Sequence, residues 1–144
     1  MSEKTVLLVE DNPDDEALTL NAFEKSGVAH AMVVVRDGAE ALDYLFGTGS
    51  YAGRDATAVP NLILLDLKLP KYSGLEVLER VRADARTRLA PVVVLSSSDE
   101  PDDQVESYRL GVNSYVRKSI DFDRFARGIR MLAEYWLELN QGVR

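Results

Sequence analysis

The chain has 144 residues, 46% of them hydrophobic, and a formal net charge of -7 at pH 7. That length suits one domain around a single core, and the negative balance works against the counterion release that nucleic-acid binding requires, so no nucleic-acid partner is expected. Cysteine is absent, which excludes disulfides, thiolate metal sites and a cysteine nucleophile. No apolar run approaches the roughly 20 residues that cross a bilayer. The apolar stretch of MSEKTVLLVED is too short for a secretory signal, so a cytoplasmic location away from membranes is expected.

Thr5 to Val9 is a continuous apolar run, as in a strand buried on both faces. Asn12-Pro13 reads as an N-cap followed by proline at the first helical position. Asp14, Asp15 and Glu16 suit the positive end of that helix, which runs to about Gly27. A second strand covers Ala31 to Val35. Asp37-Gly-Ala-Glu40 predicts a capping box with Asp in place of Ser or Thr. Ala39, Leu42, Leu45 and Phe46 then give a short amphipathic helix. Residues 47–60, rich in Gly and small side chains, read as a long loop and a tolerated surface insertion.

Leu62 to Leu65 is the third strand and ends at Asp66. After a turn containing Pro70, Ser73-Gly-Leu-Glu76 is a second capping box, with Leu75, Leu78 and Val81 on the buried face of the helix. Arg82, Arg86 and Arg88, with Asp84 among them, read as a solvated helix end. Val92 to Leu95 is the fourth strand and ends at Ser96. Pro101 opens a helix that stops at Gly111. Ser114 to Val116 is a short fifth strand that ends near Lys118. The last helix begins at Asp121, with Phe122, Phe125, Ile129, Leu132, Ala133 and Trp136 at helical spacing.

This alternation predicts an α/β fold: one domain over residues 1–144, with a doubly wound, five-stranded parallel sheet and helices on both faces. The flavodoxin-like strand order 2-1-3-4-5 is the common one for five such units. Ligands in such sheets bind outside the carboxyl ends of the strands. Strand one delivers Glu10 and Asp11 there, strand three Asp66, strand four Ser96, and strand five Lys118. Gathered carboxylates repel one another unless a cation intervenes. A set of oxygen ligands without His or Cys suits a hard ion such as Mg²⁺. Mg²⁺ takes one or two carboxylates, which leaves an aspartate to attack phosphorus and form an aspartyl phosphate. Lys118 offers a point charge and Ser96 a hydroxyl to phosphoryl oxygens.

Each residue alone has a duller reading. Glu10 and Asp11 could cap a helix, Asp66 could be a turn acid, Ser96 a strand-end hydroxyl and Lys118 a surface lysine. Their joint placement at the ends of four strands favours chemistry. His30 precedes strand two, away from that edge, and is not expected to transfer phosphate.

The segments VLLVEDNPDD, LILLDLKLPKYSG, PVVVLSSS and NSYVRK resemble the signature segments of response-regulator receiver domains, over nearly the whole chain. The Tyr51 to Pro60 region and the ending EYWLELN resemble more narrowly the small stand-alone receivers paired with phytochrome-type histidine kinases. The resemblance implies that Asp66 is the phospho-acceptor, that Asp11 binds Mg²⁺ directly, and that Glu10 acts at the metal site, often through water. The backbone carbonyl of Lys68 is then a further ligand, Lys118 the phosphate-binding lysine and Ser96 the switch hydroxyl. Tyr115 matches the aromatic switch position. The donor it implies is a phosphohistidine on a sensor kinase, and the chain catalyses only its own phosphorylation and dephosphorylation. The resemblance also places Lys68 and Ser98 at positions whose side chains tune phosphate lifetime in that family.

One departure concerns Ser119, where the family has proline after a cis bond. A cis bond before a non-proline residue costs about 3 kcal/mol, so either the fold absorbs that strain or the bond is trans and Lys118 approaches differently. The expected output is a two-state switch that alters the face formed by helix four, strand five and helix five. Tyr108, Tyr115, Tyr135, Trp136, Leu137 and Leu139 lie on or near it. Trp136 is expected in the core, while Tyr135 and Leu139 fall off the buried stripe and are the candidates for a homodimer contact.

Three readings compete. An Asp-based phosphohydrolase wants an acid where Lys68 stands. A receiver-like module that is never phosphorylated gains weight from Lys118-Ser119 but is opposed by the intact acids. A flavin-binding module wants a hydroxyl-rich loop where EDNPDD stands.

Overall fold

A computed structural model describes residues 4–98, 100–118 and 121–143. The elements alternate: β1 (Lys4–Val9), α1 (Pro13–Ser26), β2 (His30–Val35), α2 (Gly38–Phe46), β3 (Leu62–Leu65), α3 (Gly74–Ala83), β4 (Val92–Ser96), α4 (Pro101–Arg109), β5 (Ser114–Arg117) and α5 (Phe122–Glu134). The strands form one parallel sheet in the order β2-β1-β3-β4-β5.

Strand side chains alternate between two cores, as the two-residue period of a pleated strand requires. Leu7, Val9, Ile63, Leu65, Val92 and Val94 pack with α2 and α3. Val6, Leu8, Leu62, Leu64, Val93 and Leu95 pack with α1 and α5, around Phe23, Phe125 and Ile129. Both faces of the central strands are therefore covered, which explains why their sequences read as unbroken apolar runs.

Local chemistry sets the helix ends. The Asn12 carboxamide accepts from the backbone N–H groups of Asp14 and Asp15 at 2.9 and 3.0 Å, with Pro13 next to it, and Gly27 ends α1 in the left-handed conformation at φ 74°. Ser73 and Glu76 form both halves of a capping box. The box expected at Asp37 forms in one direction: Asp37 accepts from the Glu40 N–H at 2.7 Å, while the Glu40 carboxylate takes the Tyr51 hydroxyl at 3.5 Å.

Residues 47–60 form the expected surface loop, held against α2 by specific contacts, while several other expectations need correction. A 3₁₀ turn spans Gly49–Tyr51, Tyr51 stacks edge-on against Tyr44, and the Arg54 guanidinium lies 3.9 Å over the Tyr44 ring while donating to the Tyr44 carbonyl at 2.8 Å. Arg82 is half-buried rather than freely solvated. It donates to the carbonyls of Gly111, Arg88 and Ala90 and to the Asn113 side chain, at 2.7–3.0 Å, because α3 ends where those loops converge.

Phe122 is 68% exposed. It occupies the first position of α5 and lines a shallow cleft with Leu18 and Asn21 of α1 instead of entering the core. Leu75 is half-buried, and Val77 joins Leu78 and Val81 as the fully buried residues of α3. Trp136 is half-buried against the α1/α5 core; Leu137 is the residue that continues the buried series of Phe125, Ile129 and Ala133. A π-helical turn, Tyr135–Leu139, closes α5, with the Asn140 N–H donating to the Tyr135 carbonyl at 2.7 Å.

Candidate functional site

The carboxyl edge of the sheet assembles the site. The Glu10 N–H donates to the Val35 carbonyl at 3.0 Å, continuing the β1–β2 pairing one residue past β1. Its side chain is thereby held inside the edge, at 1% exposure. On the other flank, the Asp66 N–H donates to the Val9 carbonyl at 3.1 Å. These two ladder bonds bring Glu10, Asp11 and Asp66 together: one carboxylate oxygen from each lies within 4.8 Å of the other two. Glu10 and Asp66 are buried and Asp11 is exposed, so the cluster opens to solvent on one side.

Lys118 faces this cluster from the end of β5. Its backbone N–H donates to the Ser96 carbonyl at 2.7 Å, and its side chain, 10% exposed, reaches across the edge. The ammonium group donates to Glu10 Oε1 at 2.7 Å, Asp15 Oδ2 at 2.8 Å and Asp66 Oδ2 at 3.2 Å. Burial alone lowers a lysine pKa, but the hydrogen bonds to Asp15 and Glu10 and the charge of Asp66 outweigh it. The pKa of Lys118 is raised, and it stays an ammonium ion. Burial, then the hydrogen bond with Asp66, pushes the Glu10 carboxyl up to about 7, with Lys118 pulling partly the other way.

One ammonium thus contacts Glu10, Asp15 and Asp66, and Asp11 adds a further acid to the cluster. The excess of negative charge, the all-oxygen donor set and the open side fit a hard divalent cation held by Glu10, Asp11 and Asp66.

The remaining expected residues surround this centre. Ser96 is buried at the end of β4, and its hydroxyl oxygen accepts from the Ser98 N–H at 3.0 Å. Tyr115 is half-buried on β5 and points its hydroxyl at the Ser98 carbonyl, 3.5 Å away. The Lys68 side chain is exposed, and its N–H donates to Asp66 Oδ1 at 3.2 Å. Ser98 donates to Asp103 at 2.6 Å, tying the loop after β4 to α4. Tyr135 and Leu139 lie outside the site, 48% and 71% exposed on the C-terminal turn. The Lys118–Ser119 bond, on which the sequence left two alternatives, lies outside the described residues.

Asp15 is a site residue that local sequence conceals: it reads as a helix-dipole acid, yet it contacts Lys118 directly. A signal was present. Asp15 stands four, seven and eight residues before Thr19, Ala22 and Phe23, the buried residues of α1, so it falls on the inward stripe of the helix.

The sequence profile of the response regulator receiver domain matches residues 6–130. Over 136 residues the chain is 41% identical to "Probable methanogenesis regulatory protein FilR2" of Methanothrix harundinacea, covering 94% of this chain and 85% of that one. It is 38% identical over 135 residues to response regulator Rcp1 of Synechocystis sp., covering 94% and 90%. Among solved structures, the phosphorylated cyanobacterial phytochrome response regulator RcpA superposes with a TM-score of 0.91 at 41% identity, over 99% of this chain and 100% of that one. The Mn²⁺-bound form of Rcp1 gives 0.90 at 36% identity, over 98% and 99%. With the profile match, these likenesses and the five-stranded order agreeing, the chain belongs to the response regulator receiver domain family.

Proposed function

We propose that Asp66 accepts a phosphoryl group from a phosphohistidine on a sensor histidine kinase, in a reaction that depends on Mg²⁺. The observation that carries this is the grouping of the buried Asp66 carboxylate with Glu10, Asp11 and the Lys118 ammonium at one sheet edge. In the transfer an Asp66 carboxylate oxygen bonds to phosphorus as the P–N bond breaks. The imidazole leaves with the bonding electron pair and takes up a proton. Lys118 meets the charge of the phosphoryl oxygens, and Ser96 donates its hydroxyl to one of them. Glu10, Asp11 and Asp66, with the Lys68 carbonyl, hold the cation, which when bound neutralises the acids and polarises the phosphoryl group. The Mn²⁺-bound form of Rcp1 and the phosphorylated form of RcpA support both halves of this reading.

The switch follows from the hydrogen bonds around Ser98. For Ser96 to turn toward a phosphoryl group, its oxygen must leave the Ser98 N–H, and that loosens the carbonyl which receives Tyr115. Tyr115 then moves inward. Helix α4 is suited to respond: Ser107 is its one buried residue, and Val105 and Tyr108 are 64% and 50% exposed. The α4–β5–α5 face is the output surface, and Tyr135 and Leu139 contribute to a homodimer through it. Replacing both by Glu should shift sedimentation toward a monomer; an unchanged oligomeric state removes this surface from consideration.

The chain acts as a receiver in the cytoplasm, without nucleic acid or membrane, and turns over no substrate beyond its own phosphoryl group. Its acidic balance works against a nucleic-acid partner, and no described helix is long and apolar enough to cross a membrane. A phytochrome-type kinase is the donor favoured by the likeness to Rcp1 and RcpA.

Acetyl phosphate with Mg²⁺ tests the central step. Intact mass should show one added phosphoryl group, lost in Asp66→Asn and on chelation of the metal. An adduct that persists in Asp66→Asn places the acceptor elsewhere.

A further inference from the structure

We infer that Asp15 is a positioning residue that keeps Lys118 aimed at Asp66 once a cation has claimed the other acids. An ammonium group has three N–H donors and no acceptor, and here all three are taken, by Glu10, Asp15 and Asp66. Two of those acceptors, Glu10 and Asp66, belong with Asp11 to the cluster that fits a divalent ion. A cation there draws on their oxygens and repels the ammonium. Asp15 stands outside that cluster and is the acceptor left to Lys118.

Asp15 is built for this. Its N–H is fixed by the Asn12 cap at 3.0 Å, and it lies on the inward stripe of α1 above Thr19. Lys118 is then held at both ends: its backbone N–H by the Ser96 carbonyl at 2.7 Å, its tip by Asp15 at 2.8 Å. With one donor anchored, the other two can pass from carboxylate to phosphoryl oxygens without the side chain leaving the site. If Asp15 served only the helix dipole, the neighbouring acid Asp14 would do the same work, since both lie in the first turn. The kinetic consequence rests on Asp66 being the acceptor; the anchoring does not.

The test uses the full ¹⁵N-labelled chain with saturating Mg²⁺, read by lysine ammonium correlation spectra and assigned by Lys118→Arg. The wild type should show a Lys118 ammonium signal protected from exchange and distinct from the other lysines. Asp15→Asn should lose that protection, as should Asp15→Ala, while Asp14→Asn retains it. Calorimetric Mg²⁺ affinity should change little in Asp15→Asn, because Asp15 is not a ligand. The rate of phosphorylation by acetyl phosphate should fall roughly tenfold through misplacement of the ammonium. In a Lys118→Ala background the same change should add nothing. A protected signal that survives Asp15→Asn, its absence from the Mg²⁺-bound wild type, or an additive rate loss in Lys118→Ala overturns the inference. If the wild type takes no phosphoryl group, the acceptor reading falls, while the ammonium signal still decides the role of Asp15.

Discussion

Gly74 stands so close to Asp66 that a β-carbon on it would lie 2.2 Å from the Asp66 carbonyl oxygen and 2.6 Å from the Leu67 Cα. Its N–H donates to the Leu67 carbonyl at 2.8 Å, so the first turn of α3 rests directly on the segment that carries Asp66. In an exposed helix, Gly→Ala stabilises by up to about 1 kcal/mol. Here the added methyl has only backbone to push against. Gly74→Ala should destabilise by about 2 kcal/mol and weaken Mg²⁺ binding, because the proposed ligands Asp66 and the Lys68 carbonyl would move with the displaced segment. Denaturant melts and calorimetry check both; a more stable variant with native Mg²⁺ affinity refutes the close packing.

Glu10 should make metal binding depend on protons. Burial and the bond to Asp66 hold its carboxyl at about 7 in the metal-free protein. A cation favours the ionised form, so Mg²⁺ uptake should release a proton below pH 7, and affinity should rise with pH until about that point. Stability without metal runs the other way. The folded state binds a proton that the unfolded chain gives up near 4.5. Between those values folding is favoured by low pH, and this contribution, on the order of 3 kcal/mol, is lost as pH climbs through 7. Melting curves from pH 5 to 8 without Mg²⁺ should fall toward high pH, and Glu10→Gln should flatten them. A slope that persists in Glu10→Gln assigns the proton to another group.

Arg82 is a staple rather than a surface charge. Its guanidinium joins the end of α3 to Gly111, Arg88, Ala90 and Asn113, and Asn113 also accepts from the Val92 N–H at 2.8 Å. Arg82→Met leaves several acceptors without a donor and should cost about 2–3 kcal/mol, lowering the melting temperature by roughly 5–10 °C. Arg82→Lys should recover little, because a point charge cannot reproduce the planar fork. Mg²⁺ affinity should stay unchanged, since these contacts precede β4 and β5, at the sheet edge opposite the acids. A melting temperature within about 1 °C of wild type in Arg82→Met contradicts the staple.

The main site was legible because the strands are short apolar runs that end at chemically distinct residues. Asp66 and Ser96 follow or close runs of Leu, Ile and Val, and a parallel sheet leaves those ends at one edge. Capping residues behave similarly. Asn12 and Ser73 act on neighbours two or three positions away, so their roles are written in local order. Phe122 shows where periodicity misleads: the right spacing does not by itself bury a side chain at the first position of a helix.

Near-neighbour chemistry and alternation carry the five strands and helices, the helix caps and the residues that stop at the carboxyl edge, so these can be read along the chain. Who meets whom at that edge is settled by packing in three dimensions. The Lys118–Asp15 contact joins residues 103 positions apart, and Arg82 reaches 29 and 31 positions to Gly111 and Asn113. Side-chain periodicity says which way a residue faces, but the partner is fixed by strand order and by how α1, α3 and β5 lie across the sheet. No local pattern of charges carries that information.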